Sequence, residues 1–295
     1  MNRKRILLSF VLALFVLSCV QLNAKEAEKS FLWKVETDKG TSYLLGSVHM
    51  LKKEHYPLRK VIEDAFDATD ALVVEINLKS NQGQLASLVM QKGFYQGEES
   101  LKKNMSEKNY TLAKERMKAI GMDIESLDKN KPWFVAMMVL NNVMMKMGYN
   151  PVYGIDMYFM GKAEGKKDIL ELEGVEFQLN LFDSLTKEES ESFLLSTLSE
   201  AGTMEKSFQK LIDAWLSGDV KSMEKLIEQN ADSTPELKAF NEKLFHIRND
   251  GMTKKILSYL EEGKKIFVVV GAGHMIGKTG IVQQLKDKGY KVTQL

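Results

Sequence analysis

Apolar and polar positions alternate in two different rhythms along this chain. Short β-rich runs lie near both ends and helical spacing fills the middle. Residues 31–36 and 42–45 flank Thr37-Asp38-Lys39-Gly40, and Asp-Lys-Gly between two such runs predicts a hairpin. Residues 58–66 predict a short amphipathic helix, and residues 71–76 a buried strand that carries one carboxylate, Glu75. Hairpin, helix, strand is an α/β opening. Residues 82–148 read as mostly helical. Within them, residues 133–147 are the most apolar piece after the N-terminus, interrupted by Asn141, Asn142 and Lys146 and too short to span a bilayer, so they predict a buried core helix. Pro151 ends it, Gly154-Ile155-Asp156 opens another helix, and residues 167–172 predict a further strand. Met204, Phe208, Leu211, Ile212, Trp215 and Leu216 recur at helical spacing, as do Leu237, Phe240, Leu244 and Ile247; both rows predict a bundle or cap. Residues 266–288 read as strand, turn and helix, and residues 291–293 as a last short strand. The predicted fold class is α/β in the mixed sense. A central mixed sheet is built from both ends of the chain, and a large helical middle (about 82–262) is inserted into one domain spanning 25–295.

Residues 1–24 stand outside that domain. Arg3-Lys4-Arg5 precedes an apolar stretch over residues 6–17, and Leu22-Asn23-Ala24 ends in a small residue, the pattern of an export signal cleaved after Ala24. The rival is lipoprotein processing at Cys19, the one route by which the chain would be membrane-anchored; leucine just before Ser18 fits it poorly. Cleavage after Ala24 removes three positive charges and no negative ones, taking the formal net charge from +1 to −2. Such a balance gives no electrostatic case for nucleic acid. It also removes the only cysteine, so thiol catalysis, zinc–thiolate sites and disulfides are excluded and any metal must be held by His and carboxylate. The expected location is periplasmic or secreted.

The candidate chemistry lies in two glycine turns that carry half of the chain's 4 histidines. Gly46-Ser47-Val48-His49 follows one apolar run, and Gly271-Ala272-Gly273-His274 follows another. If the two strands are neighbours, the imidazoles meet at the carboxyl edge of the sheet, where open α/β sheets keep their sites. Gly46, Gly271 and Gly273 suit tight turns and would let a ligand approach the backbone. Glu75 sits in an apolar strand expected to end beside the one carrying His49. A carboxylate there is costly unless paired or metal-bound, the alternative being a solvated strand end. From pattern alone Asp156 reads as a helix cap and Arg248 as a surface arginine, while His55 and His246 are ordinary polar residues. Residues 272–279 fit a relaxed phosphate-loop pattern. Ala272 stands where the strict form wants glycine, however, and only sixteen residues follow Thr279, leaving no downstream acidic strand for magnesium, so nucleotide binding is rejected.

Taken in order, Phe31-Leu32-Trp33-Lys34-Val35, residues 43–51, Val73-Val74-Glu75, Gly154-Ile155-Asp156, residues 172–178, Arg248-Asn249 and Gly271-Ala272-Gly273-His274 form one pattern. With it the chain resembles the TraB/GumN family, related to the Tiki proteases and more distantly to erythromycin esterases and the haem-binding ChaN proteins. The resemblance implies a central mixed sheet with the site between two halves. It also implies divalent-metal-dependent peptidase activity in which His49, His274 and Glu75 hold manganese, cobalt or zinc, with Glu75 serving as ligand or general base. Arg248 matches the family arginine and would suit a developing oxyanion; Asp156 matches the Gly-Ile-Asp aspartate. Gly174 departs from the threonine common at its position. The expected function is an exported metal-dependent hydrolase acting on a peptide or small molecule. The alternative is a non-catalytic haem- or peptide-binding protein using the same cleft.

Overall fold

The computed structural model describes residues 29–79, 82–231, 238 and 241–295; the export signal, Cys19, Leu237 and Phe240 lie outside them. Six strands form one mixed sheet: β1 (Leu32–Thr37), β2 (Gly40–Ser47), β3 (Ala71–Val74), β4 (Asp168–Glu171), β5 (Ile266–Gly271) and β6 (Lys291–Gln294). Their order is β4-β3-β5-β2-β1-β6. β4, β3, β5 and β2 are parallel, and β1 is antiparallel to both β2 and β6. The predicted hairpin closes with Thr37 opposite Gly40, which leaves Asp38 and Lys39 as its loop.

β5 lies at the centre, and Ile266 to Val270 are wholly buried. A parallel strand covered on both faces has no polar alternation, which is why this run is continuously apolar. β2 is its neighbour in the register Gly46 to Val270 and Ser47 to Gly271. The two glycine turns therefore leave the sheet side by side at its carboxyl edge. The expected position of Glu75 needs correction. Its strand pairs with β5 and β4, not with β2, and it ends at Val74. Glu75 is the first residue beyond the strand, on the far side of β5 from His49. The physical reason is that β5 satisfies both parallel edges at once and so separates the two.

The sheet's core is continued by helix Lys60–Asp67 through Ile62, Ala65 and Phe66, and by helix Ile155–Ala163 through Ile155, Phe159 and Met160. A second core gathers in the helical middle around helices Pro132–Lys146 and Lys187–Glu200, with Val135, Val139, Leu194, Leu101 and Met117 buried together. Helix Met204–Leu216 joins the first core by Ile212 and Trp215, and the Trp215 indole N–H donates to the Gly46 carbonyl at 2.6 Å. Ile247 departs from its predicted apolar row and is 58% exposed. A π-turn at Glu242–His246 runs into helix Ile247–Glu261. The inserted residue rotates the register, so Arg248, Asn249 and Met252 face inward instead. Among the described residues no helix is long and apolar enough to cross a membrane.

Candidate functional site

The turn after β2 is locked by the start of helix Ile155–Ala163. The Ile155 N–H donates to the Val48 carbonyl at 3.1 Å. A Cβ on Gly154 would lie 2.2 Å from the His49 carbonyl oxygen, so only glycine allows the two segments this approach. One residue later, Asp156 accepts from the Ser47 hydroxyl at 3.0 Å and binds His49 Nδ1 at 2.8 Å. The Asp156 carboxylate raises the His49 imidazole to about 9 by its charge and its hydrogen bond. The His49 side chain itself is 65% exposed.

The turn after β5 is built in the opposite environment. His274 is buried, its ring 5.3 Å from that of Phe245, and its Nδ1 lies 2.6 Å from Asn249 Oδ1. Burial pushes this imidazole down to about 4.

Between the two lies a carboxylate fixed on both oxygens. Glu75 Oε2 accepts from Arg248 Nη2 at 2.5 Å and from Gln178 Nε2 at 2.9 Å, and Oε1 accepts the Gly271 N–H at 2.7 Å. Arg248 also donates through Nε and Nη2 to Glu173 at 2.8–3.1 Å, and Gln178 bridges Glu75 and Glu173. Burial works to raise Glu75. The charges of His274, His49 and Arg248, with the Gly271 N–H, outweigh it and hold the carboxyl at about 2. His274 is itself protonated at so acid a pH. Burial likewise opposes the Arg248 charge, and Glu173 and Glu75 overcome it. One buried guanidinium shared by two carboxylates is costly to break, because either partner alone would be an unpaired buried charge.

These groups converge on the open side of Gly271. A Cβ placed there would sit 3.4 Å from Glu75 Oε1, 3.5 Å from His49 Nε2 and 3.5 Å from His274 Cδ2. The space is a cradle the size of a single atom, rimmed by two imidazoles and one carboxylate oxygen. Both histidines engage an oxygen through Nδ1, so Nε2 is the nitrogen that can offer a lone pair whenever the ring is neutral. An imidazole oriented this way suits a metal ligand. Among the described residues no three His, Cys, Asp or Glu side chains already stand in a metal-coordinating arrangement. The fit is therefore one of donor chemistry around the cradle: nitrogen and oxygen donors, no sulfur, and open coordination positions.

Of the residues singled out in the sequence, His49, Glu75, His274 and Gly271 meet at the cradle. Asp156 stands behind His49, and Arg248 behind Glu75 with its Nε and Nη2 spent on carboxylates and Nη1 on the Leu244 carbonyl. Gly46 and Gly273 do not open onto the site, since an added Cβ would meet Phe31 and Phe245. Sequence reasoning passed over Asn249, Glu173, Gln178 and Ser47 as site residues. All four lie in segments already carrying the family resemblance, but only the folded chain shows what they hold.

Comparison with known proteins places the chain in a family. The family model described as the TraB/PrgY/gumN family matches residues 31–294. The uncharacterized protein YbaP of Shigella flexneri is 26% identical over 83% of this chain and 88% of its own length. Metalloprotease TIKI1 of Xenopus tropicalis is 24% identical over 92% of this chain and 63% of its own length. A metalloprotease TIKI homolog of Amphimedon queenslandica is 31% identical, over 30% of this chain and 18% of its own. No solved structure matches. With the family pattern covering all six strands and every side chain of the cradle, the chain belongs to the TraB/PrgY/gumN family.

Proposed function

We propose that this chain is an exported, metal-dependent hydrolase acting on peptides, with its site at the Gly271 cradle. The observation that carries the reading is the convergence of His49 Nε2, Glu75 Oε1 and His274 within 3.5 Å of one point beside Gly271. The similarity to proteins named metalloproteases supports the reaction class, and the pattern of residues 1–24 supports export.

His49 and His274 would hold the ion through Nε2 and Glu75 through Oε1. A divalent ion bound there supplies Lewis acidity and an acidified water. The chain's own residues do the positioning. Arg248, Gln178 and the Gly271 N–H fix the Glu75 carboxylate so that one lone pair of Oε1 faces the cradle. Both Glu75 oxygens are already held by hydrogen bonds, which favours Glu75 as a fixed ligand over Glu75 as general base. His49 is the exposed member of the set, so a substrate reaches the cradle from its side.

The test is a thermal-shift and calorimetric titration with Mn²⁺, Co²⁺ and Zn²⁺, followed by a peptide-library screen, on wild type, His49→Ala and His274→Ala. The expected result is a metal-dependent shift and turnover in wild type, both lost in each variant. A metal response that survives in either variant overturns the assignment. No metal response together with a Soret band on haem titration replaces it with the binding-protein reading.

A further inference from the structure

We infer that Asn249 is a positioning residue that fixes His274 with its proton on Nδ1, so that Nε2 presents a lone pair to the Gly271 cradle. The inference rests on the site reading above for its purpose, but its geometry stands on hydrogen bonding alone. The Thr279 backbone carbonyl can only accept, and it accepts from Asn249 Nδ2 at 3.0 Å. That contact settles which way the amide faces, since the oxygen would be repelled there. Asn249 Oδ1 is thereby turned to His274 Nδ1, 2.6 Å away, and an amide oxygen can only accept. The proton of the neutral imidazole must then be on Nδ1. Asn249 is 1% exposed and His274 4%, which leaves little room for water to offer the ring another partner. His274 Cδ2, bonded to Nε2, is the ring atom nearest the cradle. A backbone carbonyl in the loop after β5 therefore dictates, through one amide, which nitrogen the site receives.

His49 is held at Nδ1 by a different device, the Asp156 carboxylate. An amide does the orienting at His274 without adding a charge. This matters because Glu75 and Glu173 already crowd that side.

The test is long-range ¹H–¹⁵N correlation NMR on ¹⁵N-histidine-labelled, metal-free protein at neutral pH, with His274 identified by its loss in His274→Gln. Wild type is expected to show Nδ1–H and a bare Nε2. Asn249→Ala is expected to populate the Nε2–H form, and its Zn²⁺ affinity by calorimetry to fall by about 10–100-fold, the usual cost of losing an outer partner of a ligating histidine. Asn249→Asp keeps an acceptor against Nδ1 and should keep Nδ1 protonated. Its second oxygen faces the Thr279 carbonyl, which Gln284 Nε2 also serves at 2.9 Å, so the variant should be less stable than wild type while keeping the same tautomer. An Nε2–H tautomer in wild type, or an unchanged Nδ1–H tautomer in Asn249→Ala, overturns the inference. If Asn249→Ala does not fold, the wild-type and Asn249→Asp spectra still decide it. The spectra need no metal, so failure of the tautomer and failure of the metal reading are separately visible.

Discussion

The two glycine–histidine turns look alike in sequence and are opposites in the folded chain. The turn after β2 holds its histidine in the open against a carboxylate. The turn after β5 holds its histidine in the core against an amide. The first imidazole is kept charged and the second neutral, so His49 must give up a proton before its Nε2 can offer a lone pair. The lesson is that a matched motif fixes where two side chains meet, while their partners fix what each can do. The exposed turn is suited to exchange with solvent. The buried turn, backed by Glu75, Glu173 and Arg248, is suited to holding still.

That contrast is most open to attack at Arg248. Arg248→Ala leaves two carboxylates buried without their cation and should cost about 3–5 kcal/mol in urea denaturation. A loss below about 1 kcal/mol would mean that the β5 side is not the rigid half. His274→Ala comes next, at about 1–3 kcal/mol, because it orphans the Asn249 amide oxygen in the core. His49→Ala, by contrast, breaks a solvent-screened pair with Asp156 and should cost less than about 1 kcal/mol at neutral pH. Equal losses at the two histidines would erase the distinction.

Proton linkage sharpens it with a sign. The His49 value is raised in the folded chain, so its contribution is fully present below about pH 6.5 and is lost as pH rises through about 9. The His274 value is depressed, so between about 6.5 and 4 the unfolded chain binds more protons and stability falls as the solution is acidified. In chelator, wild type should therefore be most stable near pH 6.5 with respect to this pair. His49→Gln should flatten the alkaline limb and His274→Gln the acid limb; both limbs unchanged would contradict the assignment of the two charge states. A mild effect on the fold is also expected from Gly271→Ala. Its Cβ meets ordinary contact distances of 3.4–3.5 Å, so stability should move by less than about 1 kcal/mol. The methyl would nonetheless occupy the cradle and remove the metal-dependent thermal shift; a retained shift would place the ion elsewhere.

Much of this was legible in the chain. β-branched runs ending in glycine and histidine pointed to adjacent strands, and the register Ser47 to Gly271 bears that out. The hairpin around Asp38-Lys39 and the apolar helix over Pro132–Lys146 were equally clear, because turn chemistry and periodicity are local signals. What lay beyond reading was non-local. Nothing in residues 71–76 says that β5 will come between Glu75 and His49. Glu173 and Gln178 look like surface residues until Arg248 is folded onto them. Ile247 kept its place in an apolar row on paper, and a single π-turn sent it to solvent.

The position of β5 bears on the order in which the chain can assemble. It is the fifth of the six described strands in chain order, yet it lies inside the sheet, with β2 on one edge and β3 on the other. Until it arrives, β2 and β3 have no partner between them, and a long loop must close before either pairing forms. A chain stopped short of residue 266 thus lacks both the centre of its sheet and one of its histidines. Assembly of the cradle therefore waits for residues 266–274.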